Sequence, residues 1–302
     1  MYDILSRFIP SDRISTNERM ACHTSFKIGG PADVYIQPAS QEELVNIIGE
    51  CRNHSAPFIV LGHASNVLIP DEGLRKVVIQ LYPFFSGCRL GEDDTHITAD
   101  AGAMLSAVAN VALQNELKGL EFASGIPGTV GGAICMNAGA YDHDMSEVCI
   151  SVDVLMPDGE IVTIPRSEMA FGYRTSIIHK HGAVVLSAKF SLVKGNKEAI
   201  SAYMSDLNER RRNSQPLALP SVGSTFKRPP GYFAGKLISD CGLKGLSIGG
   251  AKVSEKHAGF VVNSGGATAK DVLDLMKHIQ DTVQNRYGVV LEPEVKILCN
   301  NE

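Results

Sequence analysis

Gly125-Ile126-Pro127-Gly128-Thr129-Val130-Gly131-Gly132, running on through Ala133 to Tyr141, is the stretch on which the reading of this chain turns. No charged residue occurs between Glu121 and Asp142. Such a run is long enough for a membrane helix, but five glycines and a proline make it a poor one. Glycines this dense let the backbone take positive φ and let another molecule come close to the main chain. Successive exposed N–H groups then form a concavity suited to phosphate oxygens, and a helix over Thr129 to Asn137 would aim its N-terminus at the same place. The bland alternative is a buried glycine-rich turn packing two strands. The spacing is G-x-x-G-x-x-G. It is neither the Rossmann G-x-G-x-x-G nor a phosphate loop, which needs G-K-[ST].

Outward from that stretch, two α/β-patterned units and a smaller third one can be drawn. Residues 1–22 read as an N-terminal helical arm marked by Leu5, Phe8 and Ile9. Residues 23–95 read as a β-α-β-β unit. Its strand over Ala32 to Gln37 leads to a Ser40-Gln41-Glu42-Glu43 capping box, and its helix has Leu44, Ile47, Ile48 and Cys51 on one face. A strand at Phe58 to Leu61, the loop Gly62-His63-Ala64-Ser65-Asn66, and apolar runs at Val67 to Ile69 and Val77 to Ile79 follow. Residues 96–214 hold the glycine stretch. They also hold a helix around Leu105 to Leu113, a hairpin over Val152 to Ile164 turning at Pro157-Asp158-Gly159, and a half-exposed strand around Val184 to Leu192. The helix through Ile200, Tyr203, Met204 and Leu207 ends in Arg210-Arg211-Arg212, which reads as a solvated terminus complementing the helix dipole. Gln215-Pro216 to Pro220 is the linker. Residues 215–302 read as a smaller domain, with an amphipathic helix through Val272, Leu275, Met276, Ile279 and Val283 and a closing strand over Val289 to Leu298.

Composition bounds the chemistry. With 44% hydrophobic and 20% charged residues over 302 positions, the chain is an ordinary globular one with room for two or three domains. A net charge of −5 argues against nucleic-acid binding, so any anion site is local. Met1 to Pro10 carries Asp3 and Arg7 and no apolar core, so a cytosolic location without a signal peptide or membrane span is expected. The 7 cysteines form no C-x-x-C and read as free buried thiols; the 9 histidines show no ligand spacing, so no metal is expected. Lys227, Arg228, Lys236, Lys244, Lys252 and Lys256 set a local basic bias against Asp240 and Glu255, and Arg228 and Lys252 are the candidates for a diphosphate.

Several ordered motifs resemble one family, from about His23 to Leu298: Thr24…Gly29-Gly30, Leu61-Gly62-x-x-Ser65-Asn66, Gly125 to Ala133, Met136-Asn137-Ala138-Gly139-Ala140-Tyr141, Tyr173-Arg174-x-Ser176, Gly223-Ser224-x-Phe226-Lys227 and Leu291-Glu292-Pro293-Glu294. The chain is similar to UDP-N-acetylenolpyruvoylglucosamine reductases, in the shorter of the family's two forms, which lacks a substrate-covering tyrosine loop. The resemblance implies an α+β fold. Two subdomains of the vanillyl-alcohol-oxidase (PCMH) type bind FAD non-covalently, and a smaller C-terminal α+β domain brings in the substrate.

The resemblance further implies that NADPH reduces the flavin and that flavin N5 gives hydride to the enolpyruvyl double bond of a UDP-sugar, for peptidoglycan precursors. Gly62, His63, Ala64, Ser65, Asn66, Gly125, Pro127, Gly128, Thr129, Gly131, Gly132 and Gly139 fall to the cofactor, and Tyr173, Arg228 and Lys252 to the substrate. Arg174 is the implied stabiliser of charge growing toward the substrate carboxylate, Ser224 the proton donor, and Glu294 the group holding the enol-like oxygens. Two positions depart from the family pattern. Ala64 stands where a glycine is usual, which requires negative φ or tolerated strain. Arg228 stands where an asparagine is usual. The rivals are an oxidase of the same fold with flavin tethered at His63, and a non-catalytic nucleotide-sugar binding module.

Overall fold

A computed structural model describes residues 1–300; residues 301 and 302, the last two of the expected substrate-binding domain, lie outside the described residues. The chain divides into two compact units, each drawn from separated segments. The first comprises 1–16, 34–63 and 76–211; the second comprises 17–33, 64–75 and the chain from Arg212 onward.

The first unit is built on an antiparallel sheet. Its strands lie in the order Ile161–Pro165, Cys149–Leu155, Val184–Ser191, His96–Asp100 and Cys88–Leu90. Val184–Ser191 was expected to be half-exposed, but it is the central strand, with Val185, Leu186, Ala188 and Phe190 buried. The helix Val130–Met136 packs on it, which explains burial on both faces: period-two alternation reports one covered face and cannot report a second. The hairpin turns as expected, with Gly159 N donating to Met156 O at 3.0 Å and Met156 N to Glu160 O at 2.8 Å. A second sheet orders Ile14–Arg19, Pro31–Ile36, Leu74–Gln80 and Phe58–Leu61, the last two parallel with Phe58 opposite Val77. The chain passes between units within the first three of these strands.

The N-terminal stretch is not a helical arm. It is helical only in short pieces, at Tyr2–Leu5, Ser11–Arg13 and Met20–Cys22, and Ile14–Arg19 is a strand. The helix Gln41–Asn53 buries Leu44, Ile47, Ile48 and Cys51 as its periodicity required. Its capping box closes on one side only. Ser40 Oγ accepts from Glu43 N at 3.1 Å, but the Glu43 carboxylate turns to Arg13, at 2.7 and 2.8 Å, and to Ala39 N. The bidentate Arg13 partner is worth more than a neutral N–H.

The second unit has its own core. A three-stranded antiparallel sheet orders Ser247–Ile248, Ala251–Val253 and Val261–Asn263. The helix Ala269–Tyr287 buries Val272, Leu275, Met276, Ile279 and Val283. Its N-terminus is held by a reciprocal Thr268–Asp271 box and by Asp71, which accepts from Ala269 N at 2.7 Å and Lys270 N at 3.0 Å. The expected closing strand is short: only Lys296–Ile297 is strand, parallel to Val67–Leu68. Upstream of it, Pro293 forms only an isolated antiparallel bridge, with Phe226.

Candidate functional site

The glycine stretch is partly scaffold and partly open surface. The first helical N–H groups after Thr129 are already used: Val130 N donates to Ala103 O and Gly131 N to Ala101 O, both at 2.8 Å. Those two donors therefore do not form the anion-facing helix terminus expected from sequence. A Cβ on Gly131 would meet Ala101 Cβ at 3.0 Å, and one on Gly139 would meet His143 O at 2.5 Å, so packing alone demands both glycines. Gly132 is different. It is exposed, and the nearest atom to a Cβ there is Thr129 Oγ1 at 3.8 Å.

Thr129 carries the sharpest signal. It is 1% exposed, and its hydroxyl has no hydrogen-bond partner within the protein. It stands at the N-cap position but makes no capping bond. A Cβ on Gly62 would lie 2.0 Å from this hydroxyl, so Gly62 is the residue that admits it. An orphaned buried hydroxyl beside glycine backbone suits an oxygen-rich ligand group. The residues present therefore fit a flavin dinucleotide. His63 packs edge-on against Tyr82, ring centroids 4.9 Å apart.

Arg174 sits at the second corner of a two-residue turn. Gly172 and Thr175 exchange backbone hydrogen bonds at 3.1 and 3.3 Å, and Arg174 has φ +56°. Its guanidinium lies 5.0 Å from the ring centroid of Tyr173, which is exposed. Asn137 ties this turn to the glycine stretch. Buried at the C-cap of the helix Val130–Met136 with φ 42°, it donates from Nδ2 to Gly172 O at 3.2 Å and to Asp144 Oδ2 at 3.0 Å, and accepts from Ser146 N at 3.0 Å.

Arg211 was expected in a solvated helix terminus. Arg210 does fit that description, paired with Asp206 at 2.7 Å in solvent. Arg211 instead turns toward the cradle: a Cβ on Gly125 would meet its Cδ at 3.2 Å and Asn208 Oδ1 at 2.6 Å. Burial pulls its guanidinium below the ordinary value, against the opposing pull of Tyr141. A half-buried cation beside glycine backbone is equipped to meet an anion. The signal was present in sequence, since 200, 204, 207 and 211 lie on one helical stripe.

The second unit gathers the other half of the expected residues. Ala64 is buried with φ +49°, so the strain its side chain implies is present and tolerated. Its carbonyl accepts from Ser25 N at 3.3 Å. Two residues on, Asn66 donates from Nδ2 to Glu294 O at 3.2 Å, and its own carbonyl accepts from Lys296 N at 3.0 Å. Glu294 N in turn donates to Thr225 O at 2.9 Å. Asn66 is thus joined to Glu294 by a side-chain bond and Glu294 to Thr225 by a backbone bond. Gly223, with φ +78°, makes the bend that delivers Ser224. Arg228 stacks on Phe233, its Cζ 3.9 Å from the ring centroid. Much of the basic bias is met locally: Lys252 pairs with Glu255 at 3.6 Å, Lys227 with Glu292 at 3.2 Å, and Lys236 with Asp240 at 2.8 Å. Such exposed pairs are weak.

The family described as "FAD binding domain" matches residues 32–165, and that described as "UDP-N-acetylenolpyruvoylglucosamine reductase, C-terminal domain" matches 215–298. A UDP-N-acetylenolpyruvoylglucosamine reductase of Caldanaerobacter subterraneus subsp. tengcongensis is 52% identical over 99% of this chain and 98% of its own. The chain belongs to the UDP-N-acetylenolpyruvoylglucosamine reductase family. A Clostridioides difficile reductase of that name is 48% identical over 99% of this chain and 97% of its own. The crystal structure of the Thermus caldophilus UDP-N-acetylenolpyruvylglucosamine reductase superposes with a TM-score of 0.81 at 35% identity, covering 95% of this chain and 99% of that one. The cradle and its orphaned hydroxyl fall within the FAD-binding match, and Ser224 and Glu294 fall within the C-terminal match. Among the described residues, no helix is long and apolar enough to cross a membrane.

Proposed function

We propose that the chain reduces the enolpyruvyl double bond of UDP-N-acetyl-3-O-(1-carboxyvinyl)-glucosamine to give UDP-N-acetylmuramate, in the cytosol, as a step of peptidoglycan precursor synthesis. When bound, FAD supplies the hydride chemistry, taking reducing equivalents from NADPH and passing them to the alkene. Residues 23–95 and 96–214 hold the cofactor in this reading, and 215–302 meets the nucleotide sugar.

The chain's own residues supply position, charge and a proton. Arriving hydride adds to the terminal alkene carbon, so negative charge grows on the neighbouring carbon and spreads into its carboxylate. The Arg174 guanidinium, permanently charged and held on a fixed turn, is the group to stabilise that charge as it forms. Ser224 Oγ gives its proton to the charged carbon; a serine is a weak acid, but a carbanion is a strong enough base when geometry is right. Glu294 holds the enol-like oxygens. Tyr173 flanks the Arg174 guanidinium, and Arg228 and Lys252 take the diphosphate.

The observation that carries the reading is end-to-end relatedness to reductases of this name, with 52% identity over 99% of the chain, in a molecule that keeps Arg174, Ser224 and Glu294 at the motif positions. The test separates the two halves of the reaction. Ser224→Ala should leave bleaching of the flavin by NADPH intact and slow its return on adding substrate by roughly 10²–10⁴-fold, the usual size of a general-acid contribution. Equal slowing of both phases would remove Ser224 from the proton-donor role.

A further inference from the structure

We propose that Thr225 is a positioning residue that sets Ser224 and Glu294 in mutual register for proton delivery. The proposal rests on the roles given to those two residues above. Thr225 itself is 1% exposed and touches neither substrate nor cofactor in this scheme.

Three of its polar atoms are committed in three directions. Thr225 N donates to Gly259 O at 2.9 Å, Thr225 O accepts from Glu294 N at 2.9 Å, and Thr225 Oγ1 accepts from Val261 N at 2.9 Å. The third bond anchors the residue to a strand, and the first to Gly259 just ahead of it. Val261–Asn263 is a buried strand, and the chain leading to Thr225 runs along it, with Ser221 bridged to Val262 and Asn263 N donating to Pro220 O at 2.9 Å. The second bond fixes Glu294. The segment 224–227 pairs antiparallel with 292–294 through the bridge Phe226–Pro293. In such a pair neither Phe226 nor Pro293 donates across to the other, and the bonds are made by the residues on either side. The register therefore hangs on Lys227 N to Glu292 O at 2.8 Å on one side and on the Glu294–Thr225 bond on the other.

The hydroxyl is the part a sequence change can remove cleanly. Gly223, with φ +78°, turns the backbone just before Ser224, so the main chain has left the strand's ladder where Val261 needs an acceptor. Thr225 Oγ1 fills that place. Without it, a buried Val261 N–H has lost its acceptor, and the Ser224–Thr225 peptide is free to shift. Sub-ångström placement matters because proton transfer to carbon tolerates little error in donor position.

The experiment compares Thr225→Val, Thr225→Ser and Ser224→Ala as FAD-loaded full-length protein, by stopped-flow absorbance of the flavin. Thr225→Val should slow reoxidation by the enolpyruvyl substrate by roughly 10- to 100-fold. It should leave NADPH-driven bleaching and the KM for substrate unchanged, and Thr225→Ser should restore the rate because it keeps the acceptor. If Thr225→Val yields no soluble holoprotein, Thr225→Ala is read the same way. The proposal is overturned if Thr225→Val reoxidises at the wild-type rate, if both phases slow together, or if Thr225→Ser is as slow as Thr225→Val. Ser224→Ala separates the two levels. Should it show no selective loss, the proton-donor role itself has failed. A selective loss in Ser224→Ala with none in Thr225→Val removes the positioning role alone.

Discussion

Thr129→Val should have opposite effects on the protein without FAD and on its affinity for FAD. The Thr129 hydroxyl is buried and unpartnered within the chain, and it caps no helical N–H because Val130 N already donates to Ala103 O. Removing it therefore breaks no bond in the flavin-free protein. A buried polar group without a partner costs about 1–3 kcal/mol, and valine keeps the shape and the β-branching suited to the extended φ of −93° and ψ of 163°. Taking about 1 kcal/mol as the gain, Tm of the flavin-free protein should rise by roughly 2–4 °C for a unit of this size. In the proposed reading, where Thr129 belongs to the cofactor cradle, the same change removes a donor to a cofactor oxygen. A hydrogen bond to a charged group is worth about 1.5–3 kcal/mol, so Kd for FAD should rise roughly 10- to 100-fold. The assays are thermal unfolding of flavin-stripped protein and fluorescence titration with FAD, with Thr129→Ser retaining affinity. If Thr129→Val leaves Kd within twofold and does not raise Tm, the orphaned hydroxyl is not a cofactor contact and its cost was misjudged.

Three further outcomes follow from local geometry. At Ala64, where φ is +49°, glycine should be tolerated within about 1 kcal/mol, while Ala64→Val should lose about 2 kcal/mol or more, because β-branching clashes in the left-handed region; chemical denaturation decides, and a wild-type Ala64→Val would show the strain to be negligible. Asn137→Ala deletes bonds to Gly172 O and Asp144 and one shared at Ser146 N, so about 2–3 kcal/mol of stability should go and kcat should fall with the loosened Arg174 turn; unaltered kcat in a destabilised protein would confine Asn137 to folding. For His257, burial first and the charge of Lys244 second push the imidazole below its ordinary value of 6.5, against a backbone hydrogen bond that raises it. The unfolded chain then takes up the proton first, so stability is full above about pH 6.5 and drains away as pH falls through that value toward the folded one. His257→Asn should flatten that acid limb of the Tm profile, and an unchanged limb would clear His257 of the effect.

How much of this was legible in sequence depended on what each pattern reports. The helix Gln41–Asn53 is readable because burial on one side leaves a period, and the strand Phe58–Leu61 because it is an unbroken apolar run, although three of its four residues are only half-buried. Val184–Ser191 was misjudged because its neighbours on both edges and the helix on its face leave no such trace. The expected capping box failed on its second half because Glu43 found a cation across the fold at Arg13, which no local motif contains. Arg211 shares the period of its helix's buried stripe, but it stands in a basic run at a helix end, which has an adequate local explanation. Thr225 and Asn137 lie inside legible motifs, but their work lies in bonds to Gly259, Val261, Glu294 and Gly172, which no local motif contains. The cysteines also divide by packing. Cys51 and Cys149 are buried and Cys22 is exposed, and burial pushes the Cys51 thiol up to about 11 and that of Cys149 to about 12.

Backbone strain is distributed unevenly, and the distribution bears on catalysis. Among the described residues, eleven non-glycine residues have positive φ, and six of them, Ala64, Asn137, Tyr141, Asp142, Ala170 and Arg174, fall in or within two residues of the stretches 62–66, 125–141 and 170–176. Each such residue costs on the order of 1 kcal/mol unless its surroundings over-determine it. At Arg174 they do. The reciprocal Gly172–Thr175 bonds fix the corner, Asn137 holds Gly172 O, and Ser176 Oγ anchors to Cys135 O at 3.0 Å just beyond. An arginine on a loose loop would lose side-chain and backbone freedom when the substrate carboxylate arrives. In the proposed mechanism, one held on a strained corner has already lost the backbone share, so more of its attraction for the developing charge is left to lower the barrier.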